Sequence, residues 1–98
     1  MIRILVVYPR TEGTTFDADY WTNTHMPLVG QKWPDCRWEA DVAGPDQPHY
    51  AVAHLVFPDM ASMGAAMSGP AGAEVRGDLP NYTNVQPQIL ISEIAKTS

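Results

Sequence analysis

Two stretches of this chain are apolar on both sides of an extended backbone, and that restricts what it can fold into. Residues 2–8, Ile-Arg-Ile-Leu-Val-Val-Tyr, end at Pro9, and residues 50–57, Tyr-Ala-Val-Ala-His-Leu-Val-Phe, end at Pro58. Short runs rich in β-branched side chains and closed by proline read as strands. Alternate strand residues point to opposite faces, so Ile2, Ile4 and Val6 oppose Arg3, Leu5 and Val7. Likewise Tyr50, Val52, His54 and Val56 oppose Ala51, Ala53, Leu55 and Phe57. A sheet made of such strands needs cover on both faces. The 98 residues can supply helices for one face. A second copy of the sheet is the simplest cover for the other, at roughly 25 cal/mol per Å² buried. A homodimer is therefore expected.

The remaining segments complete the order. Residues 16–26 read as a helix capped by Thr15 or Asp17, with the Asp17 and Asp19 carboxylates near its positive end. Pro27 kinks it, because proline has no N–H to give and crowds the preceding turn. The helix continues at an angle to Trp33 and ends at Pro34-Asp35. Residues 37–43 alternate polar and apolar, as a half-buried strand does. A second helix runs from Met60 to Met67 with Asp59 as cap. The segment Gly69-Pro70-Ala71-Gly72 breaks it, and a short helical turn follows near residues 73–75. The last strand is expected over residues 83–94, with Pro87 marking an edge or bulge. Strand, helix, strand, strand, helix, strand is the split β-α-β order of a ferredoxin-like α+β domain, here one domain over residues 1–98.

Composition narrows the function classes. A hydrophobic fraction of 45% with 17% charged residues is globular, not disordered. The net charge is −5, and the six Lys and Arg form no basic stripe, so nucleic acid is not an expected partner. Cys36 is the one cysteine, which excludes an intrachain disulfide and fits a reducing compartment. No run reaches the length of a membrane span, so the expected location is the cytoplasm, without membrane attachment. The glycines form no phosphate-binding pattern, and no nucleotide cofactor, or any other, is expected.

The most distinctive stretch is Phe16-Asp17-x-x-Tyr20-Trp21-x-x-x-His25-Met26-Pro27-Leu28. It resembles the motif of the EthD family, small proteins first associated with ethyl tert-butyl ether degradation: Phe-Asp, an aromatic pair, then His-x-Pro-Leu. Trp21 stands where tyrosine is common. The resemblance implies a dimeric α/β barrel, in which two four-stranded sheets close on each other and each subunit holds a cavity. Fold and family membership do not fix a reaction.

The chemistry of these residues supports a site on the first helix. With α-helical spacing, Asp17, Trp21 and His25 form one ridge, and Phe16, Tyr20 and Thr24 the next. Such a wall would hold a flat apolar ligand against Trp21 while His25 moves a proton near neutral pH. The plainer alternative packs the aromatics on the sheet and bonds His25 to backbone near Pro27. His54, mid-strand, faces the ligand if it lies opposite the helices and is a core histidine otherwise. No pair of histidines has metal-ligand spacing, so no metal site is expected. Cys36 reads as a small buried thiol, and Met60, Met63 and Met67 as core filling.

Two functions remain. One is an enzyme without a tightly held cofactor, acting on a small apolar or aromatic molecule: a cofactor-independent oxygenase, decarboxylase or isomerase, with His25 as acid or base and Phe16, Tyr20, Trp21 and His54 binding the ligand. The other is a non-catalytic accessory protein that binds the molecule for a partner enzyme.

Overall fold

A computed structural model describes residues 1–98. Strand β1 (Ile2–Pro9) lies between β3 (His49–Phe57) and β4 (Gln88–Glu93), and β2 (Arg37–Val42) flanks β3. All three pairings are antiparallel, giving the order β2-β3-β1-β4. With helices between β1 and β2 and between β3 and β4, this is the ferredoxin-like α+β topology expected from the strand patterning. β1 and β3, whose side chains are apolar on both sides, occupy the centre. β4 starts after Pro87 rather than at residue 83, because proline cannot donate to the ladder; Thr83 makes only an isolated bridge to Phe16.

The first helical region has three parts: α1 (Ala18–Tyr20), a π-helical turn (Trp21–His25) and α2 (Met26–Lys32). Asp17 caps it, accepting the Tyr20 N–H at 3.0 Å. The expected kink at Pro27 takes the form of the π turn. In an α-helix the proline ring would strike the carbonyl of Asn23, four residues earlier. Widening the turn relieves this, and the Met26 N–H bonds to Trp21 O, five residues back.

The second helical region is longer than its glycines suggest. α3 (Met60–Ser68) is capped by the Asp59 carboxylate on the Ser62 N–H at 2.7 Å. Instead of a break and a short turn there follows a full helix, α4 (Pro70–Gly77). Pro70 sits in its first turn, where the missing N–H costs nothing. Gly72 permits the close α3–α4 approach, since a Cβ there would lie 2.5 Å from Met67 O.

One face of the sheet carries the core. Ile2, Ile4, Tyr8, Ala51, Ala53, Leu55 and Phe57 pack with Trp21, Met26, Val29, Trp33, Met63 and Val75 from the helices, and Cys36 is buried with them. Of the three methionines read as core, only Met63 is buried; Met60 is exposed and Met67 half-buried. The opposite face presents half-buried Leu5, Val7, Val52 and His54 and exposed Leu90, with no helix over them. No helix is long and apolar enough to cross a membrane.

Candidate functional site

Between the helices and the core face of the sheet lies a cavity of about 330 Å³. That is within the range of small-molecule sites. Its floor is Ile4, Val6, Ala53 and Leu55 of the sheet, its walls include Met26 and Val29 of α2 and Trp33 just after it, and Met67, Val75 and Leu79 close it. Into this apolar space five polar residues reach: Tyr8, His25, Tyr82, Arg76 and Gln86. A larger hollow of about 650 Å³ lies at the start of α1. It is open to solvent and lined mostly by polar loop residues, so it offers little to an apolar ligand.

His25 ends the π turn and is 4% exposed. Its Nδ1 lies 2.9 Å from Asp78 Oδ2 and its Nε2 3.3 Å from Tyr82 Oη. A carboxylate can only accept, so Nδ1 carries the hydrogen and donates it to Asp78, leaving the Nε2 lone pair toward Tyr82. The Tyr82 hydroxyl in turn lies 2.9 Å from that of Tyr8. Donation then runs from Tyr8 to Tyr82, from Tyr82 to His25 Nε2, and from His25 Nδ1 to Asp78.

Asp78 follows the last turn of α4 and begins the 3₁₀ turn Leu79–Asn81. Its other oxygen accepts from Tyr20 Oη at 2.7 Å and Asn81 Nδ2 at 2.9 Å. Burial pushes the Asp78 carboxyl up, but the donors Asn81, His25 and Tyr20 together outweigh it and hold the carboxyl below its ordinary value. Burial lowers the His25 imidazole, and Asp78 only partly restores it, so the ring is neutral at pH 7. Tyr82 is raised well above the ordinary phenol by burial and its neighbours, and Tyr8 by burial, so both stay protonated donors. The Asp78 bond raises Tyr20 as well.

The sequence-derived residues fall in different places. His25 lines the cavity, and its partners are side chains from the far end of the chain, not backbone near Pro27. Tyr20 holds Asp78 and stacks on Tyr82 with ring centroids 6.1 Å apart, behind the cavity wall. Trp21 is fully buried, between Tyr8 at 5.9 Å and Phe16 at 5.5 Å. It does not line the cavity and offers no face to a ligand. The ridge of Asp17, Trp21 and His25 does not form, because the π turn moves His25 out of line with Trp21. Phe16 stacks on Tyr50 and lines the open hollow. His54 lies on the opposite face of the sheet, its Nε2 2.7 Å from Asp41 Oδ2, and shares no cavity with His25. Asp78, Tyr8 and Arg76 have no local motif. The turn-forming string Gly77-Asp78-Leu79-Pro80-Asn81, next to an aromatic, is the one sequence signal near them. No group of three metal-ligating side chains is present.

The family model described as the EthD domain matches residues 12–86. An uncharacterised 11.0 kDa protein from the thcB–thcC intergenic region of Rhodococcus erythropolis is 27% identical over 88 residues, spanning 86% of this chain and 85% of its own. The crystal structure of an EthD-like protein from Ralstonia eutropha JMP134 superposes with a TM-score of 0.85 at 31% identity, covering 99% of this chain and 94% of that one. An ethyl tert-butyl ether (EthD) family protein from Bacillus halodurans C-125 gives a TM-score of 0.73 at 22% identity, covering 95% and 97%.

Proposed function

The chain belongs to the EthD family, and we propose that it binds a small apolar or aromatic molecule in the cavity beneath α2 and moves a proton to or from it with His25. The observation that carries this reading is the hydrogen-bonded chain Asp78–His25–Tyr82–Tyr8 ending on a mostly apolar cavity. A neutral imidazole is a competent base near pH 7, and Asp78 orients it and stabilises the imidazolium formed when Nε2 takes a proton. Because the Tyr82 hydrogen already points at Nε2, the proton travels by relay: the Tyr82 oxygen accepts it from the reacting molecule as the phenol passes its own hydrogen to Nε2, so Tyr82 ends protonated as it began. These parts suit an enolisation, isomerisation or decarboxylation, or a cofactor-free oxidation that begins with proton removal. Phe16, Tyr20 and Trp21 serve by holding the histidine's surroundings rigid rather than by touching the ligand.

In this reading the working unit is a homodimer, formed where the uncovered sheet face meets a second copy. The test is native mass spectrometry of the protein as purified, under conditions that keep small molecules bound. A dimer with a small organic adduct is the expected result. The identified adduct is then offered to the protein in D₂O and exchange of its acidic hydrogen is followed. His25→Asn should slow exchange by about 10²–10⁴-fold, the usual contribution of a general base, while still binding. Binding without any His25-dependent exchange would instead assign the protein an accessory, carrier role.

A further inference from the structure

Resting on that reading of the cavity, we propose that its ligand carries an anionic oxygen group, a carboxylate or an ionised phenol or enol, held by Arg76. The hydrogen-bonding inventory of the cavity wall is lopsided. The hydroxyls of Tyr8 and Tyr82 and both ring nitrogens of His25 have partners within the protein. Of the remaining polar side chains on the wall, Gln86 offers both an amide oxygen and an amide N–H₂, whereas Arg76 offers donors only. Arg76 forms no ion pair, and its one hydrogen bond runs from Nη1 to Met67 O at 2.9 Å. An arginine has five N–H donors in a fixed fork, so several remain free.

That single bond holds one end of the guanidinium. Met67 O belongs to the last turn of α3, and Gly72 lets α4 approach that carbonyl closely. Arg76 is itself exposed at the rim of the cavity, and this bond ties it to the α3–α4 junction. The one carboxylate near the site, Asp78, already accepts from Tyr20, His25 and Asn81 and is not an ion-pair partner of the arginine. A cavity with an apolar body and, at its rim, a cation that no carboxylate of the protein pairs matches an acid with an aromatic or aliphatic frame. Arginine is the side chain best suited to grip such a group with two parallel bonds.

Isothermal titration calorimetry at pH 8, where His25 is neutral, tests this with two probes of one shape, 2-naphthoate and 2-naphthalenemethanol. The wild type should bind the acid about tenfold more tightly than the alcohol. Arg76→Gln should weaken the acid about tenfold and leave the alcohol within about twofold, and Arg76→Lys should fall between. If the alcohol binds and the acid binds no better, or if Arg76→Gln leaves their ratio unchanged, the anion site is refuted while the cavity reading stands. If neither probe binds at millimolar concentration, the cavity reading fails and takes this inference with it.

Discussion

Asp78 gathers three donors from two distant parts of the chain, Tyr20 and His25 on one side and Asn81 on the other. Removing it should cost more than any one of those bonds. Asp78→Ala leaves a buried imidazole N–H and a phenol without acceptors, and the expected loss is about 2–3 kcal/mol. For a domain of this size that lowers Tm by about 10–20 °C, readable by calorimetry. Asp78→Asn keeps an acceptor and removes the charge. Since burial lowers His25 and Asp78 opposes that, the asparagine variant should push the imidazole lower still, visible in an NMR titration of its C–H shifts. A rise would reverse the assignment. The sign of the pH dependence follows from the same pair. The folded protein binds a proton on His25 and on Asp78 less readily than the unfolded chain does. Stability is thus fully present above the unfolded imidazole value of about 6.5 and falls as the pH drops below it. It falls again below the unfolded carboxyl value of about 3.9. Wild-type Tm should be level between pH 7 and 8 and decline below 6.5. His25→Gln should abolish the first decline and keep the second.

Helices and strands were legible to different degrees, and the differences have physical causes. β1, β2 and β3 declared themselves because residue type, alternation and bounding prolines agreed. The α3–α4 junction did not, because Gly69, Pro70 and Gly72 weaken a helix in isolation but here separate and seat two helices. Gly72 and Gly64 make the point testable. A Cβ at Gly72 would lie 2.5 Å from Met67 O and 2.8 Å from Ala66 O, both backbone atoms. Gly72→Ala should destabilise by about 1–3 kcal/mol through forced backbone shifts. Gly64, mid-α3 and exposed, has nothing within 4 Å of its would-be Cβ. Gly64→Ala should therefore stabilise by about 0.5–1 kcal/mol. Thermal melts of the two variants must move in opposite directions. The π turn was half legible: Pro27 announced a disturbance, but not that the helix would widen to absorb it. His25 was found from local sequence, whereas Asp78 and Tyr8 were not. Their partnership with His25 exists only once α4 and β1 meet the first helix.

At the scale of the whole molecule the uncovered sheet face decides what the protein is. Leu5, Val7 and Val52 are half-buried there and Leu90 is exposed, while toward β2 the same face bears Arg3, Arg37, Glu39, Asp41 and His54. An apolar half beside charges of both signs is self-complementary, which suits a two-fold interface. Val52→Glu separates the possibilities because the cost of the same charge depends on what covers it. On a solvated face a single substitution changes stability by about 0.5 kcal/mol or less. Against a second sheet it leaves an unpaired carboxylate in an apolar layer, which costs about 3–5 kcal/mol and should break the dimer. Light scattering after size exclusion should show a wild-type dimer and a Val52→Glu monomer, with Met60→Glu, on the exposed side of α3, remaining dimeric. A Val52→Glu protein with unchanged mass and Tm would mean that water, not a second copy, covers this face.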